Sequence, residues 1–208
     1  MTTCADVVAH LTRALAGPLP GAAAHQRMMP VPRREWPEGF DRARIRHAAG
    51  LLLVFPIRDR AHILLTVRAH RLRHGGQVSL PGGVMEAGET VAQAALREAH
   101  EEVALSTAEV RVLGALTPVD IPVSGFRLHP VVGAIDRRPA LTAADGEVAR
   151  ILEVAIDELA DPAARTTAVR EREGGRVETP LFRVAGHDIW GATAMVLSEF
   201  LRLLEPSL

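Results

Sequence analysis

Residues 81–89 read Pro-Gly-Gly-Val-Met-Glu-Ala-Gly-Glu, and residues 97–105 read Arg-Glu-Ala-His-Glu-Glu-Val-Ala-Leu. The first segment is rich in glycine, which permits a tight and even left-handed path of the backbone. From residue 90 to residue 103 the chain contains neither Gly nor Pro and consists mainly of good helix formers. The sequence therefore predicts a glycine loop that opens into a helix.

The predicted helix carries a cluster of carboxylates, because Glu101 and Glu102 lie three and four positions after Glu98. At about 100° per residue, the three side chains share one sector of the helix. Like charges at this spacing repel one another by about a few tenths of a kcal/mol, and a cation removes that penalty. Carboxylate oxygens suit Mg²⁺ or Mn²⁺. A solvated acidic face is the alternative, and the preceding glycine loop argues against it.

Two further features of the helix bear on this cluster. Arg97 lies four positions before Glu101, where it can orient that carboxylate or neutralise surplus charge. Small apolar residues form the adjoining stripe, so we expect the helix to pack closely against a sheet. The members of the stripe are Ala92, Ala95, Leu96, Ala99 and Val103.

The whole segment resembles the Nudix box, G-x5-E-x7-R-E-U-x-E-E-x-G-U, in which U is aliphatic. The matching positions are Gly83, Glu89, Arg97, Glu98, Ala99, Glu101, Glu102 and Leu105. Ala104 stands where the family usually has Gly, at the end of the helix. Because a natural alanine suggests an adjusted path, we expect Ala104 to have an ordinary negative φ rather than the left-handed one.

Flanking segments resemble the coenzyme A pyrophosphatase branch of the same superfamily. Upstream these are residues 64–69, 72–73, 76–78 and 80–83. Downstream they are residues 124–126, 128–133 and 189–194, the last matching the start of the branch's final helix. The resemblance covers about residues 47 to 204. Two departures keep a broader substrate range open: a loop between Arg73 and Gly76 that is one residue short, and Leu80 where the branch has an aromatic residue.

The family resemblance implies an α/β fold, the α/β/α Nudix sandwich with a mixed central sheet. It also implies that Glu98, Glu101 and Glu102 hold Mg²⁺ or Mn²⁺, with Arg97 beside them. The general base is open between Glu101 and Glu147, and Glu147 is equally well explained as an ordinary loop carboxylate. For the substrate, Arg68 and Arg73 would contact phosphate, with surface charge as the alternative. The backbone at Gly82 and Gly83 can approach the ion or the phosphates closely.

The implied reaction is hydrolysis of coenzyme A or its acyl derivatives to adenosine 3′,5′-bisphosphate and 4′-phosphopantetheine. A second reading is a broader hydrolase of nucleoside diphosphates linked to another moiety, such as ADP-ribose, NADH or dinucleoside polyphosphates. A third is a sensing domain that binds nucleotide without turnover. That reading predicts loss of the box carboxylates, and none is lost here.

Length and composition restrict the class of protein. At 208 residues and 48% hydrophobic content, the chain can form one domain (1–208), with an N-terminal helix and Pro-rich arm (1–46) before a catalytic core (47–204). A formal net charge of −1 provides no basic field for nucleic acid. The single cysteine excludes an intrachain disulfide, and we expect a cytoplasmic protein that does not bind a membrane. We also expect a monomer or homodimer that binds a small-molecule nucleotide.

Apolar periodicity predicts the remaining elements. Helices are expected at 5–15 and 192–204, a hairpin at 50–55 and 63–67, strands at 110–116, 128–135 and 151–154, and a second hairpin at 166–170 and 177–184 around Gly174-Gly175. Pro180 is expected to mark an edge or a bulge. Trp36 and Phe40 are candidate anchors for the Pro-rich arm, across the domain or at a subunit interface, and Trp190 is expected to pack at the start of the last helix.

The sequence gives the histidines little part in the predicted site. His100 lies roughly 200° from Glu98 around the helix, which excludes it from the carboxylate cluster. His129 and His187 are expected to be structural or solvated. Only His74, near the loop before the box, is a candidate for testing.

Overall fold

The computed structural model describes residues 3–71, 75–172 and 175–205, which form five α-helices and eleven strands. No helix in these ranges has the length and apolar character needed to cross a bilayer. The helices are α1 (Cys4–Ala14), α2 (Gly21–Gln26), α3 (Val91–Val103), α4 (Ile156–Ala160) and α5 (Ala192–Leu204). The strands are β1 (Arg46–Ile57), β2 (Arg60–Arg68), β3 (Val78–Ser79), β4 (Gly82–Val84), β5 (Arg111–Ala115), β6 (Val119–Ile121), β7 (Phe126–Ala134), β8 (Val148–Ala155), β9 (Arg165–Arg172), β10 (Gly175–Val184) and β11 (His187–Trp190).

Eight strands form a mixed sheet in which β1 is central. The main order is β3-β2-β1-β7-β5, while β4 also pairs with β1, β6 with β7 and β8 with β2. Strands β1 and β7 run parallel, and the other neighbours run antiparallel. The predicted hairpin and the three predicted single strands all lie in this sheet.

Burial of β1 on both faces produces the layered architecture. Residues 51–55, Leu-Leu-Leu-Val-Phe, are all fully buried, as expected for a strand covered on both sides. Leu52 and Val54 belong to a core cluster with α1 and α5, whereas Leu51, Leu53 and Phe55 belong to a second cluster with α3. The α/β/α sandwich with a mixed central sheet is therefore confirmed.

A second, three-stranded antiparallel sheet has the order β11-β10-β9. It contains the second predicted hairpin, although Gly174 of its turn lies outside the described residues. Pro180 pairs with Thr167 of β9 and lies just beyond the pairing between β10 and β11, which begins at Leu181. Trp190 ends β11 rather than starting α5, and its ring lies 4.4 Å from the guanidinium of Arg170.

The Pro-rich arm crosses the domain. Val31 exchanges two backbone hydrogen bonds with Glu178 of β10, at 2.8 and 2.9 Å. Trp36 then stacks on Phe40, with ring centroids 4.6 Å apart, and its side chain, after Arg127, helps to lower the pKa of Asp120 of β6. The arm therefore links the small sheet to one end of the large one.

A buried carboxylate holds the N-terminal segment against α5. Glu199, which is fully buried, accepts hydrogen bonds from the backbone N–H of Gly21, from the N–H and hydroxyl of Thr117, and contacts His25 Nε2 at 2.8 Å. Burial raises the pKa of Glu199, but these bonds outweigh burial and hold the pKa below its ordinary value. Sequence analysis missed this network and the six-residue α2, which is too short to show a helical period.

The expectation for Ala104 is wrong. Ala104 has φ 54° and ψ 31°, in the left-handed region. Its N–H bonds to His100 O at 2.9 Å, which is the αL ending of a helix, and the N–H of Leu105 lies 3.5 Å from Ala99 O. Burial of the next residue explains this conformation. Leu105 is fully buried, and the backbone must reverse sharply at Ala104 to bring it under α3.

Ala104→Gly removes the steric cost of a left-handed alanine, so we expect the free energy of unfolding to rise by about 1 kcal/mol. Urea denaturation measures the change. Ala92→Gly, within the same helix, is the matched control and should lower the value by about 1 kcal/mol. A destabilised Ala104→Gly protein would contradict the left-handed ending.

Glu199→Gln leaves buried donors without their charged acceptor, and we expect it to cost about 3 kcal/mol at pH 7. Because the folded protein lowers the pKa of Glu199, its stabilisation is present above the ordinary pKa and disappears as the pH falls through the lowered one. The difference in unfolding free energy between wild type and variant should therefore shrink on acidification. A difference that stays constant from pH 7 to pH 3 would refute this account.

Candidate active site

The glycines of β4 allow an unusually close approach of three elements. β4 pairs with β1 so that Gly83 lies opposite Ala49 and Gly82 opposite Gly50. A Cβ on Gly82 would lie 2.3 Å from Ala49 O, and a Cβ on Gly83 would lie 2.5 Å from the carboxylate of Glu98. Neither position therefore has room for a side chain, and Glu98 of α3 lies directly over the strand.

Glu102 is the most perturbed carboxylate of the group. It is buried, with only 8% of its surface exposed, and its Oε2 accepts a hydrogen bond from the N–H of Gly82 at 3.3 Å. Burial raises the pKa of Glu102 to about 7, the Gly82 bond and Arg68 oppose that rise, and the charges of Glu98 and Glu147 add to it. The helix therefore holds a carboxylate at a substantial electrostatic cost.

Arg97 organises the other carboxylates. Its guanidinium binds both oxygens of Glu89, at 2.7 and 3.1 Å, and contacts Glu98 at 2.9 Å and Glu101 at 3.1 Å. It also donates to Val84 O on β4. Arg97 thus both orients Glu101 and neutralises surplus charge, the two possibilities that the sequence suggested. Sequence analysis missed Glu89 as its main partner, although their eight-residue spacing is a constant of the box.

The loop before β8 brings Glu147 to this helix. The N–H of Ala144 donates to Glu102 O, and the N–H of Ala69 donates to Glu147 O, at 2.8 Å in both cases. Arg68, at the end of β2, and Glu147 are both exposed, and both act on the pKa of Glu102. The structure therefore brings Arg68, Glu147 and Glu102 together. Arg73 and His74 lie outside the described residues.

In the described part of the chain, no group of three or more His, Cys, Asp or Glu side chains is arranged to hold a metal ion. The side chains do not converge on one point because Arg97 contacts Glu98 and Glu101 directly. The donor set nevertheless fits a hard divalent cation. Glu98 and Glu102 repel each other beside the two glycines of β4, and a cation would offset both the repulsion and the burial of Glu102. Glu101, 53% exposed, is the outermost of the three.

Two histidines that sequence analysis did not connect lie side by side on the large sheet. His47 Nδ1 is 2.8 Å from His129 Nε2, and the two rings stack with centroids 5.1 Å apart. Burial, His47 and Arg127 together lower the pKa of His129. No local sequence signal marks this pair, because β1 and β7 meet only through parallel pairing of distant segments. His100, as expected, lies away from the carboxylates and contacts Leu105 O.

Comparison with known sequences identifies the family of this chain. The model of the NUDIX domain family matches residues 46–172. "Uncharacterized Nudix hydrolase NudL" of Enterobacter sp. (strain 638) is 36% identical over 156 residues, which cover 74% of this chain and 81% of that protein. The protein of the same description from Citrobacter koseri is 37% identical over the same share of both chains.

Solved structures share the fold at lower identity. The Nudix hydrolase RenU from M. smegmatis superposes with a TM-score of 0.54 at 24% identity, covering 78% of this chain and 86% of that one. A MutT/nudix family protein from Enterococcus faecalis gives a TM-score of 0.52 at 20% identity, with 83% and 66% covered. The family model and the two relatives at 36% and 37% identity show that the chain belongs to the Nudix family, in agreement with the glycine strand, the carboxylate helix and the arginine between them.

Proposed function

We propose that this protein is a metal-dependent pyrophosphohydrolase that cleaves coenzyme A or its acyl derivatives into adenosine 3′,5′-bisphosphate and 4′-phosphopantetheine. Family membership supports the coarser statement, a Nudix hydrolase that acts on a nucleoside diphosphate linked to another moiety. The observation that carries the proposal is the buried Glu102 beside Glu98, over Gly82 and Gly83 of β4, which have no side chains to block a phosphate.

When bound, Mg²⁺ or Mn²⁺ supplies neutralisation of phosphate charge and activation of water. Glu98 and Glu102 would hold it, with Glu101 at the outer edge. Arg97 keeps Glu98 and Glu101 in place through its contacts at 2.9 and 3.1 Å. The backbone of Gly82 and Gly83 leaves the approach to these carboxylates open.

Glu147 and Glu101 remain the two candidates for the general base. Glu101 is engaged by Arg97, whereas Glu147 is exposed on a loop that is hydrogen-bonded to both α3 and β2. We favour Glu147, because its loop lies beside Glu102, whereas the carboxylate of Glu101 is engaged by Arg97. Arg68, whose charge also acts on Glu102, would contact a phosphate.

Coenzyme A is the finer part of the proposal. It is supported by the segments that flank the box, which resemble the coenzyme A pyrophosphatase branch at residues 64–69, 124–126, 128–133 and 189–194. A broader hydrolase of ADP-ribose, NADH or dinucleoside polyphosphates is the second candidate, favoured by Leu80 and by the short loop after Arg73. Retention of every box carboxylate disfavours a sensor without turnover.

Glu98→Gln and Glu102→Gln should each lower kcat by several powers of ten with Mg²⁺ or Mn²⁺, because each removes a charge that would hold the cation. Steady-state kinetics on coenzyme A measures the loss. Glu171→Gln, at an exposed glutamate of β9, is the control and should leave kcat unchanged. Undiminished turnover in either box variant would refute the assignment.

Glu102→Gln should also stabilise the protein in the presence of a chelator, by about 1–2 kcal/mol, because the amide keeps the size of the side chain without its buried charge. Denaturant unfolding at pH 8 with excess EDTA measures this effect. A variant that loses both activity and stability would point to a structural role for Glu102 instead.

Substrate choice is tested by kcat/KM for coenzyme A, dephospho-coenzyme A, ADP-ribose and NADH, with the products of each identified. We expect coenzyme A to be preferred, because its 3′-phosphate adds a charge that the site can recognise. Preference for ADP-ribose would overturn the branch assignment and leave the hydrolase intact. Tight binding without turnover of any pyrophosphate would favour the sensor.

A further inference from the structure

A strip of residues that includes a histidine pair crosses the large sheet on the same face as Glu98. Ala49 of β1 lies opposite both Gly83 of β4 and His129 of β7, so these three residues form one row across the sheet. Ala49 and its neighbours on this face pack against α3. With strands about 4.8 Å apart, the backbone of His129 is about 10 Å from that of Gly83, over which Glu98 lies.

The next row extends the strip away from the carboxylates. His47 of β1 lies opposite Arg127 of β7, which lies opposite Asp120 of β6. Since side chains alternate between faces, His47 and Arg127 share the face of Ala49 and His129. Arg127 binds both carboxylate oxygens of Asp120, at 2.6 and 3.1 Å, and the arm residue Trp36 bonds to the same carboxylate.

The hydrogen bond between the two imidazoles determines what the pair offers to a ligand. One proton lies between His47 Nδ1 and His129 Nε2, so one ring donates and the other accepts. A neutral pair has one N–H and one bare nitrogen on its outer side. If the donating ring gains a second proton, both outer nitrogens carry N–H groups and the pair carries one positive charge.

Burial and the charged groups around the pair determine how readily it gains this second proton. Burial, His47 and Arg127 disfavour the charged form of His129, and Asp120 partly opposes them. Glu98 lies on the same face, two strands away. A phosphate dianion on the outer side adds opposite charge and two acceptors, and therefore favours the protonated pair.

We propose that His47 and His129, with Arg127 beside them, form a subsite for a phosphate monoester on the substrate, the 3′-phosphate of coenzyme A. The inference rests on the proposed function, because it names the residues that distinguish coenzyme A from substrates with an unphosphorylated ribose. His47 is exposed and His129 half-buried, so a ligand on the outer side of the pair can reach both. The spacing from Gly83 is one that a ribose between two phosphate groups can bridge.

Kinetics of His47→Gln and His129→Gln test the subsite. Each variant should lower kcat/KM for coenzyme A by about tenfold to a hundredfold, mainly through KM, and change kcat/KM for dephospho-coenzyme A by less than about twofold. His187→Gln, on β11 of the small sheet, is the matched control and should alter neither value. Equal losses on both substrates would overturn the inference, and the exposed His47 provides this test even if His129→Gln folds poorly.

Binding without metal separates this inference from the proposed reaction. Calorimetry in EDTA should show that wild type binds adenosine 3′,5′-bisphosphate more tightly than AMP, with uptake of about one proton when buffers of different ionisation enthalpy are compared. His47→Gln should abolish both the preference and the uptake. If that pattern holds while coenzyme A is not hydrolysed, the proposed reaction fails and the subsite stands. If wild type shows no preference, the subsite fails whatever the enzyme hydrolyses.

Discussion

The contact between β4 and α3 is the constraint on which the rest of this structure depends. Gly83 meets the carboxylate of Glu98, and Gly82 meets both the backbone of β1 and the carboxylate of Glu102. A single added carbon at Gly83 would clash with Glu98 of the helix, and one at Gly82 would clash with the backbone of β1. The small residues along α3 serve the same contact from the helix side, so that Ala95 and Ala99 are completely buried. The site exists because these two elements can come this close.

That closeness has an electrostatic consequence. Arg97 neutralises Glu89 and part of the charge of Glu98 and Glu101, but Glu102 is left buried beside like charges. Apolar packing on both faces of β1, far from the carboxylates, stabilises the fold and offsets this electrostatic cost. An unfavourable charge held by a rigid scaffold is typical of a site whose function is to bind a cation and a phosphate.

The N-terminal segment completes the arrangement at the other end of the sheet. The Glu199 network anchors α2 to α5, and the arm continues past β10 until Trp36 reaches Asp120. Asp120 in turn fixes Arg127, the neighbour of the histidine pair. The Pro-rich arm, which has the composition of a linker, thus lies close to the histidine pair.

The sequence by itself determined the uninterrupted helix, the apolar strand runs and the spacing of the box carboxylates, because each depends on residues near one another in the chain. Gly82 and Gly83, predicted as a loop, instead form a short strand, because they pair with the distant β1. Only the tertiary structure decided the rest. The left-handed ending at Ala104 depends on where Leu105 must be buried, so the local preference for a negative φ was overridden. Burial of Glu102, the approach of Glu147 and the contact between His47 and His129 depend on strand pairing and loop packing between distant segments, which no local pattern encodes.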